Sequence, residues 1–167
     1  MADVILRQPR ADDGWQLNRL VDASPPLDPN SVYCNLLQCS HFAETSVAAE
    51  RHGELLGFIS AYRKPAQSDI LFVWQVVVGH SARGQGLAKA MLNNLVSRDP
   101  KPLFLETTIT RDNLASRALF SRFARDLNCA LEELPMFDER IHFNGEHASE
   151  FLIRLGPIPN HGNTTSE

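Results

Sequence analysis

The chain has 167 residues, 43% hydrophobic and 22% charged, the composition of one ordinary globular domain able to bury roughly two-thirds of its unfolded surface. A formal net charge of −4 supplies no basic surface at the level of composition, which argues against nucleic acid as the main partner. Cys34, Cys39 and Cys129 lack zinc or redox spacing, the N-terminus carries no export signal and no run is long enough to span a membrane, so a cytoplasmic, metal-free protein without a membrane partner is expected.

In chain order, Val4, Ile5, Leu6 and Arg7 read as a first strand ended by Pro9. Asp12 or Asp13 caps a helix to about Ala23, with Trp15, Leu20 and Val21 facing inward. Residues 24–30 form a rigid, proline-rich loop, and Asn30 or Ser31 caps a second helix through about Gln38 that carries Tyr33, Leu36 and Leu37. Residues 46–51 and 55–63 read as a hairpin around His52, Gly53 and Glu54. Residues 71–78 are almost wholly apolar, the pattern of a strand covered on both faces. Beyond the glycines Gly84 and Gly86, Leu87, Ala88, Met91, Leu92, Leu95 and Val96 recur at helical spacing, with Lys89, Asn93, Asn94 and Ser97 opposite. A strand follows over residues 103–110, then a helix capped by Asp112 or Asn113 that carries Ala115, Ala118, Leu119, Phe123 and Leu127. One or two closing strands are expected within residues 129–143 and 149–155. From Gly156 the composition turns to Gly, Pro, Asn, Thr and Ser, so residues 1–155 read as the domain and 156–167 as a flexible tail.

The chemistry concentrates where the apolar strand meets the glycine turn. Arg83, Gly84, Gln85, Gly86, Leu87 and Ala88 open a helix, where unpaired amides and the helix dipole together favour a diphosphate. No Gly-x-x-x-x-Gly-Lys-Ser/Thr string exists, which excludes a P-loop. The dinucleotide fingerprint is nearer, since Glu106 lies twenty positions after Gly86. Its third small residue falls on Lys89, however, which obstructs close helix–strand packing.

The order Arg-x-x-Gly-x-Ala after a hydrophobic strand resembles the acyl-coenzyme A motif of the GNAT N-acetyltransferase superfamily. The resemblance implies a mixed, predominantly antiparallel α/β sheet flanked by helices, with acetyl-CoA as co-substrate. It places the pyrophosphate on residues 83–88 and the pantetheine arm along Val76, Val77 and Val78, as an added strand. Residues 113–120 resemble the second cofactor segment, with Asn113, Ser116 and Phe120 as its contacts. Many members carry a tyrosine where this chain has Phe120, and that phenol is the usual proton donor to the departing thiolate.

Further strings are more specific: Pro26-Leu27-Asp28-Pro29-Asn30-Ser31-Val32-Tyr33, His41-Phe42-Ala43-Glu44-Thr45-Ser46, Phe72-Val73-Trp74-Gln75-Val76 and Glu106-Thr107-Thr108-Ile109-Thr110. Together they resemble the L-2,4-diaminobutyrate acetyltransferases of ectoine biosynthesis. That resemblance implies transfer of acetyl to the γ-amine of a small diamino acid by direct attack, and it suggests a homodimer. The alternatives are an acetyltransferase for another small diamine or a protein N-terminus, and an acetyl-CoA sensor without turnover.

Read as residues, each site candidate has two roles open to it. Asp28 is a ligand-facing carboxylate or a turn residue, and Tyr33 is a hydroxyl donor or a packing residue. Trp74 walls an amine pocket or sits in the core. Glu106, beside Thr107, orients a substrate ammonium or pairs with an arginine. His147 and Glu150, three apart before the last strand, meet an amine or form a solvated turn. Glu150, His147 and Glu106 are thus the candidate proton acceptors, and Asp28, Tyr33, Trp74 and Thr107 the candidate substrate ligands.

Overall fold

The computed structural model describes residues 3–25 and 27–159. Most of the expected tail, residues 160–167, lies outside the described residues, as does Pro26 of the proline-rich loop. Seven strands, β1 (Ile5–Arg7), β2 (Val47–Arg51), β3 (Glu54–Lys64), β4 (Gln67–Val78), β5 (Phe104–Thr110), β6 (Leu131–Phe137) and β7 (Glu150–Leu155), follow the order β1-β2-β3-β4-β5-β7-β6. The helices are α1 (Gly14–Asp22), α2 (Val32–Ser40), α3 (Leu87–Val96) and α4 (Leu114–Asp126). The sheet is mixed and mostly antiparallel, as expected: β4 runs parallel to β5, whereas β1/β2, β2/β3, β5/β7 and β6/β7 are antiparallel. Among the described residues, no helix is long and apolar enough to cross a membrane.

By contacts the chain forms two compact units, Met1–Arg63 with Val73–Arg98, and Lys64–Phe72 with Asp99–Glu167. In the first, β2 and β3 are joined through His52 and Gly53, both at positive φ (54° and 82°), the backbone a tight two-residue hairpin demands. Its core gathers Leu17, Val21, Cys39, Ala48, Leu55, Phe58 and Val77. Helix α1 buries Leu17, Asn18 and Val21, so Trp15 does not face inward but is 59% exposed, with the Arg19 guanidinium 5.3 Å over its ring. Helix α2 is capped by Ser31, whose Oγ accepts from the Cys34 N–H at 3.1 Å. Its buried face is Asn35, Gln38 and Cys39, which turns Tyr33 and Leu36 outward. The polar inner face of α2 meets the equally polar Asn18 of α1, and apolar periodicity could not place it.

An ion cluster closes the N-terminal strand onto this unit. Arg7 grips Asp13 with both terminal nitrogens (2.7 and 2.8 Å) and Glu50 with Nε (2.7 Å). Burial pushes the Asp13 carboxyl up, but hydrogen bonds from Arg7 and the Arg10 N–H outweigh it and hold the group below its usual range. Glu50 is also lowered, chiefly by its Arg7 hydrogen bond. Depressed carboxylates stabilise the fold fully above their ordinary range and lose that contribution as pH falls through the depressed values. Arg7→Met is therefore expected to lose about 2 kcal/mol near neutrality. It also flattens the acid limb of the stability–pH curve below about pH 4. Urea melts across pH check this, and an unchanged acid slope would exclude the cluster as its cause.

In the second unit, Ile70, Leu71 and Phe72 pair with Phe104, Leu105 and Glu106, and β5 pairs with β7 so that Glu106 faces Arg154. Helix α4 packs through Phe120, Phe123 and Ala124, not through Ala115 and Ala118, which are exposed. Strand β6, last in the sheet order, is exposed along its whole length.

Candidate active site

The glycine turn belongs to the first unit. Strand β4 ends at Val78, a short 3-10 turn (His80–Ala82) follows, and α3 begins at Leu87. Gly84 and Gly86 take φ of +74° and +75°, which L side chains rarely adopt, and a Cβ built at either meets nothing within 4 Å. The glycines thus answer a backbone requirement and leave open space beside the loop. Arg83 Nε donates to the Val78 carbonyl (3.1 Å) and Gln85 Nε2 to the Ser81 carbonyl (2.9 Å), pinning the turn to its own base. Helices α2 and α4 are capped by the side chains of Ser31 and Asn113, but α3 has Gly86 at its cap and no side-chain acceptor. The first helical N–H to bond back is that of Ala90, to the Gly86 carbonyl. The start of α3, with Gly86 as its cap residue and no side-chain acceptor, suits an anion. Close packing against α3 comes from Gly57 of β3: a Cβ there would lie 3.0 Å from Met91 Cε and 3.2 Å from the Val77 carbonyl oxygen.

Strand β4 is covered on both faces only in part. Leu71, Val73 and Val77 are buried, but Trp74 is 46% exposed and Gln75, Val76 and Val78 are half-buried, which removes the core alternative for the indole. Asp28 is exposed on the loop before α2, and the loop is tied to β4 by Gln75. Gln75 Nε2 donates to the Asp28 carbonyl (3.2 Å), and its Oε1 accepts from Asn30 Nδ2 (2.9 Å). The Asn30 carbonyl accepts in turn from Asn18 Nδ2 (2.8 Å), which also donates to Asn35 Oδ1 (3.1 Å). Asn35 Nδ2 then donates to Gln38 Oε1 at 2.9 Å. Tyr33 is 70% exposed and is not a packing residue.

The second unit holds the remaining candidates. Glu106 is fully buried (0% exposed) between two cations: Oε2 accepts from Lys64 Nζ at 2.9 Å, and Oε1 from Arg154 Nε at 2.7 Å. Pairing with an arginine is thus the outcome seen for Glu106, with Lys64 as a second cation. Thr107 is buried next to it, opposite Ile153 of β7. His147 and Glu150 come together where β7 begins, Nε2 to Oε1 at 3.9 Å. The His147 ring stacks at a tilt on Phe143 (4.6 Å between centroids), and its Nδ1 lies 2.7 Å from the Ala148 carbonyl. A carbonyl only accepts, so Nδ1 donates to it and Nε2 is the ring nitrogen turned toward Glu150. The pair stands at the end of a turn that is exposed over most of residues 138–148. Nearby Asp112 is held below the usual range, first by the Thr110 hydroxyl, then by backbone N–H groups, with His147 adding to them.

Asn113 Oδ1 accepts from the Ser116 N–H (3.1 Å) as the cap of α4, which joins two of the proposed coenzyme contacts. Phe120 is only 2% exposed and lines a small cavity with Ile109, Ile153 and Leu131, so its ring packs instead of facing solvent. Burial raises the thiols of Cys34 and Cys129 and pushes Cys39 up to about 12, leaving little thiolate to act as an acyl carrier. Among the described residues, no group of three or more His, Cys, Asp or Glu could hold a metal ion. The residues missed in the sequence are Gln75 and Lys64. Gln75 did carry a signal, as the lone polar residue within residues 71–78.

Residues 15–124 match the acetyltransferase (GNAT) family. The chain belongs to the GNAT acetyltransferase family. Within that family it is 51% identical, over 157 residues, to the L-2,4-diaminobutyric acid acetyltransferase of Methylotuvimicrobium alcaliphilum, covering 93% of this chain and 91% of the relative. The enzyme of the same name from Vibrio cholerae is 46% identical over 90% of this chain and 88% of its own. Among solved GNAT structures, diaminobutyrate acetyltransferase EctA from Paenibacillus lautus, in complex with L-2,4-diaminobutyric acid and coenzyme A, is similar at TM-score 0.88 and 38% identity. That likeness covers 94% of this chain and 96% of the other.

Proposed function

We propose that this chain transfers acetyl from acetyl-CoA to the γ (N4) amine of L-2,4-diaminobutyrate, giving N4-acetyl-L-2,4-diaminobutanoate for ectoine biosynthesis. The observation that supports the reading is likeness, over 94% of this chain, to an enzyme whose structure is in complex with diaminobutyric acid and coenzyme A. The residues fit such a donor: the uncapped start of α3 and the open glycine turn suit a diphosphate. Arg83, Gly84, Gln85, Gly86, Leu87 and Ala88 are assigned to the phosphates, and Val76, Val77 and Val78 to the pantetheine amides. In the second unit, Asn113, Ser116 and Phe120 are assigned to the coenzyme as well.

Diaminobutyrate presents two ammonium groups that differ mainly in their distance from the carboxylate. Asp28 is assigned to the α-ammonium, Trp74 to the pocket wall, and Tyr33 and Thr107 to orienting hydrogen bonds. The γ-ammonium has no lone pair and must lose a proton before it attacks the thioester carbonyl. Glu150, coupled to His147, is assigned as acceptor, because the Glu106 carboxylate is already held by Lys64 and Arg154. A backbone N–H near Val76 steadies the oxyanion in direct attack, without an acyl-enzyme. The thiolate leaves without help from Phe120.

We place the enzyme in the cytoplasm, as a homodimer. The exposed edge strand β6, with Leu131, Leu134, Met136 and Phe137 on its surface and Ile141 beyond it, supports a partner copy. Light scattering of the purified chain checks this, and a monomer at micromolar concentration would refute it.

The deciding experiment is acetyl-CoA turnover with diaminobutyrate, ornithine, lysine and simple diamines, with the acetyl group located by NMR. Diaminobutyrate is expected to be preferred and acetylated at N4. Exclusive N2 acetylation would overturn the orientation, and a ligand-induced thermal shift without turnover would favour a sensor. Arg83→Ala is expected to raise KM for acetyl-CoA roughly tenfold, the loss of one charge-assisted contact, while KM for diaminobutyrate holds. An unchanged acetyl-CoA KM would remove Arg83 from the coenzyme site.

A further inference from the structure

We infer that Gln75 is a positioning residue that aims the Asp28 carboxylate and thereby selects which amine of the substrate is acetylated; the inference rests on Asp28 binding the α-ammonium. One side-chain amide makes two hydrogen bonds to one loop, donating to the Asp28 carbonyl (3.2 Å) and accepting from Asn30 Nδ2 (2.9 Å). Between these two points stands Pro29, whose ring fixes its own φ and restricts Asp28 before it. A stiff three-residue segment held at both ends leaves little freedom at the Asp28 Cα. The far side is held as well, because Asn18 Nδ2 donates to the Asn30 carbonyl from within the buried amide chain of Asn35 and Gln38. Gln75 stands between Trp74 and Val76 on β4, so the strand proposed to wall the amine pocket also carries the clamp.

Glutamine suits this task better than its neighbours in size and charge. Glutamate keeps the acceptor but loses the donor to the Asp28 carbonyl and sets a second negative charge beside the loop. Asparagine is one methylene short of both partners. A reacting group misplaced by about one ångström can lose about a hundredfold in rate, so the placement of the bound substrate governs which amine reacts.

The test measures KM for each substrate, the N4-to-N2 ratio of the product and the melting temperature for Gln75→Ala, Asn30→Ala, their double variant and Asp28→Ala. Each clamp variant is expected to raise KM for diaminobutyrate roughly tenfold, the loss of one or two hydrogen bonds. KM for acetyl-CoA should hold, and N2-acetylated product should become detectable. The double variant should be no worse than the poorer single one, because both remove the same device. A purely structural role would lower the melting temperature and leave the product ratio alone, and that result overturns the inference. Impaired Asp28→Ala beside normal Gln75→Ala overturns it without touching the Asp28 assignment. A silent Asp28→Ala removes that assignment and the inference with it. If Gln75→Ala does not fold, Gln75→Met keeps the volume, lacks both hydrogen bonds and carries the same expectations.

Discussion

Glu150→Gln is expected to lower kcat by roughly 10²- to 10⁴-fold, the range by which a positioned general base accelerates proton transfer. The substitution keeps the shape of the side chain and removes only its capacity to take a proton. Glu150 opens β7 opposite Thr110 of β5, so its backbone is fixed by the ladder, and His147 Nε2 stands 3.9 Å from its carboxylate. On the proposed assignment the carboxylate takes the proton of the γ-ammonium, and the imidazole, whose ring stacks on Phe143, is the next acceptor. His147→Asn should therefore cost less than Glu150→Gln. Acetyl-CoA affinity, measured by calorimetry, should be unaffected in both variants. A loss of less than about threefold in kcat for Glu150→Gln would exclude it as the acceptor, since such a factor amounts to well under 1 kcal/mol.

Glu106→Ala is expected to lower unfolding stability by about 3 kcal/mol, the lower end for breaking a buried ion pair. The carboxylate is fully buried, whereas the side chains of Lys64 (27% exposed) and Arg154 (30% exposed) still reach water and are only partly stranded by its loss. Arg154 also lies over the Phe104 ring at 5.1 Å, which keeps its guanidinium in place when the carboxylate is gone. Glu106→Gln keeps one acceptor for Arg154 but turns an N–H₂ toward Lys64, so an intermediate loss of about 1–2 kcal/mol is expected. Denaturant unfolding at neutral pH decides the matter. If Glu106→Gln were as stable as wild type and lost activity by a hundredfold, Glu106 and not Glu150 would be the base.

The elements that follow apolar periodicity or turn chemistry could be read from the chain directly. The His52-Gly53 hairpin, the apolar run into the Arg83–Ala88 turn and the strand–helix pair at residues 104–126 are of this kind. What escaped were features set by partners distant in sequence. The inner faces of α1 and α2 are polar, Asn18 against Asn35, so a rule that buries the largest apolar residue sent Trp15 inward when it belongs outside. The sequence leaves both readings of Glu106 open because Arg154, which decides between them, stands 48 residues away and is brought opposite only by the β5–β7 register. Gln75 is the lone polar residue of an apolar run, but its partners at Asp28 and Asn30 are more than 40 residues earlier.

The hydrogen bonds that tie the Asp28 loop to β4 and α1 are made by uncharged amides, and this sets how they respond to salt. At molar salt the reach of a charge shrinks to about 3 Å, so exposed ion pairs weaken while neutral hydrogen bonds are barely touched. A loop tied to its strand by glutamine and asparagine is therefore expected to keep that tie across a wide range of ionic strength.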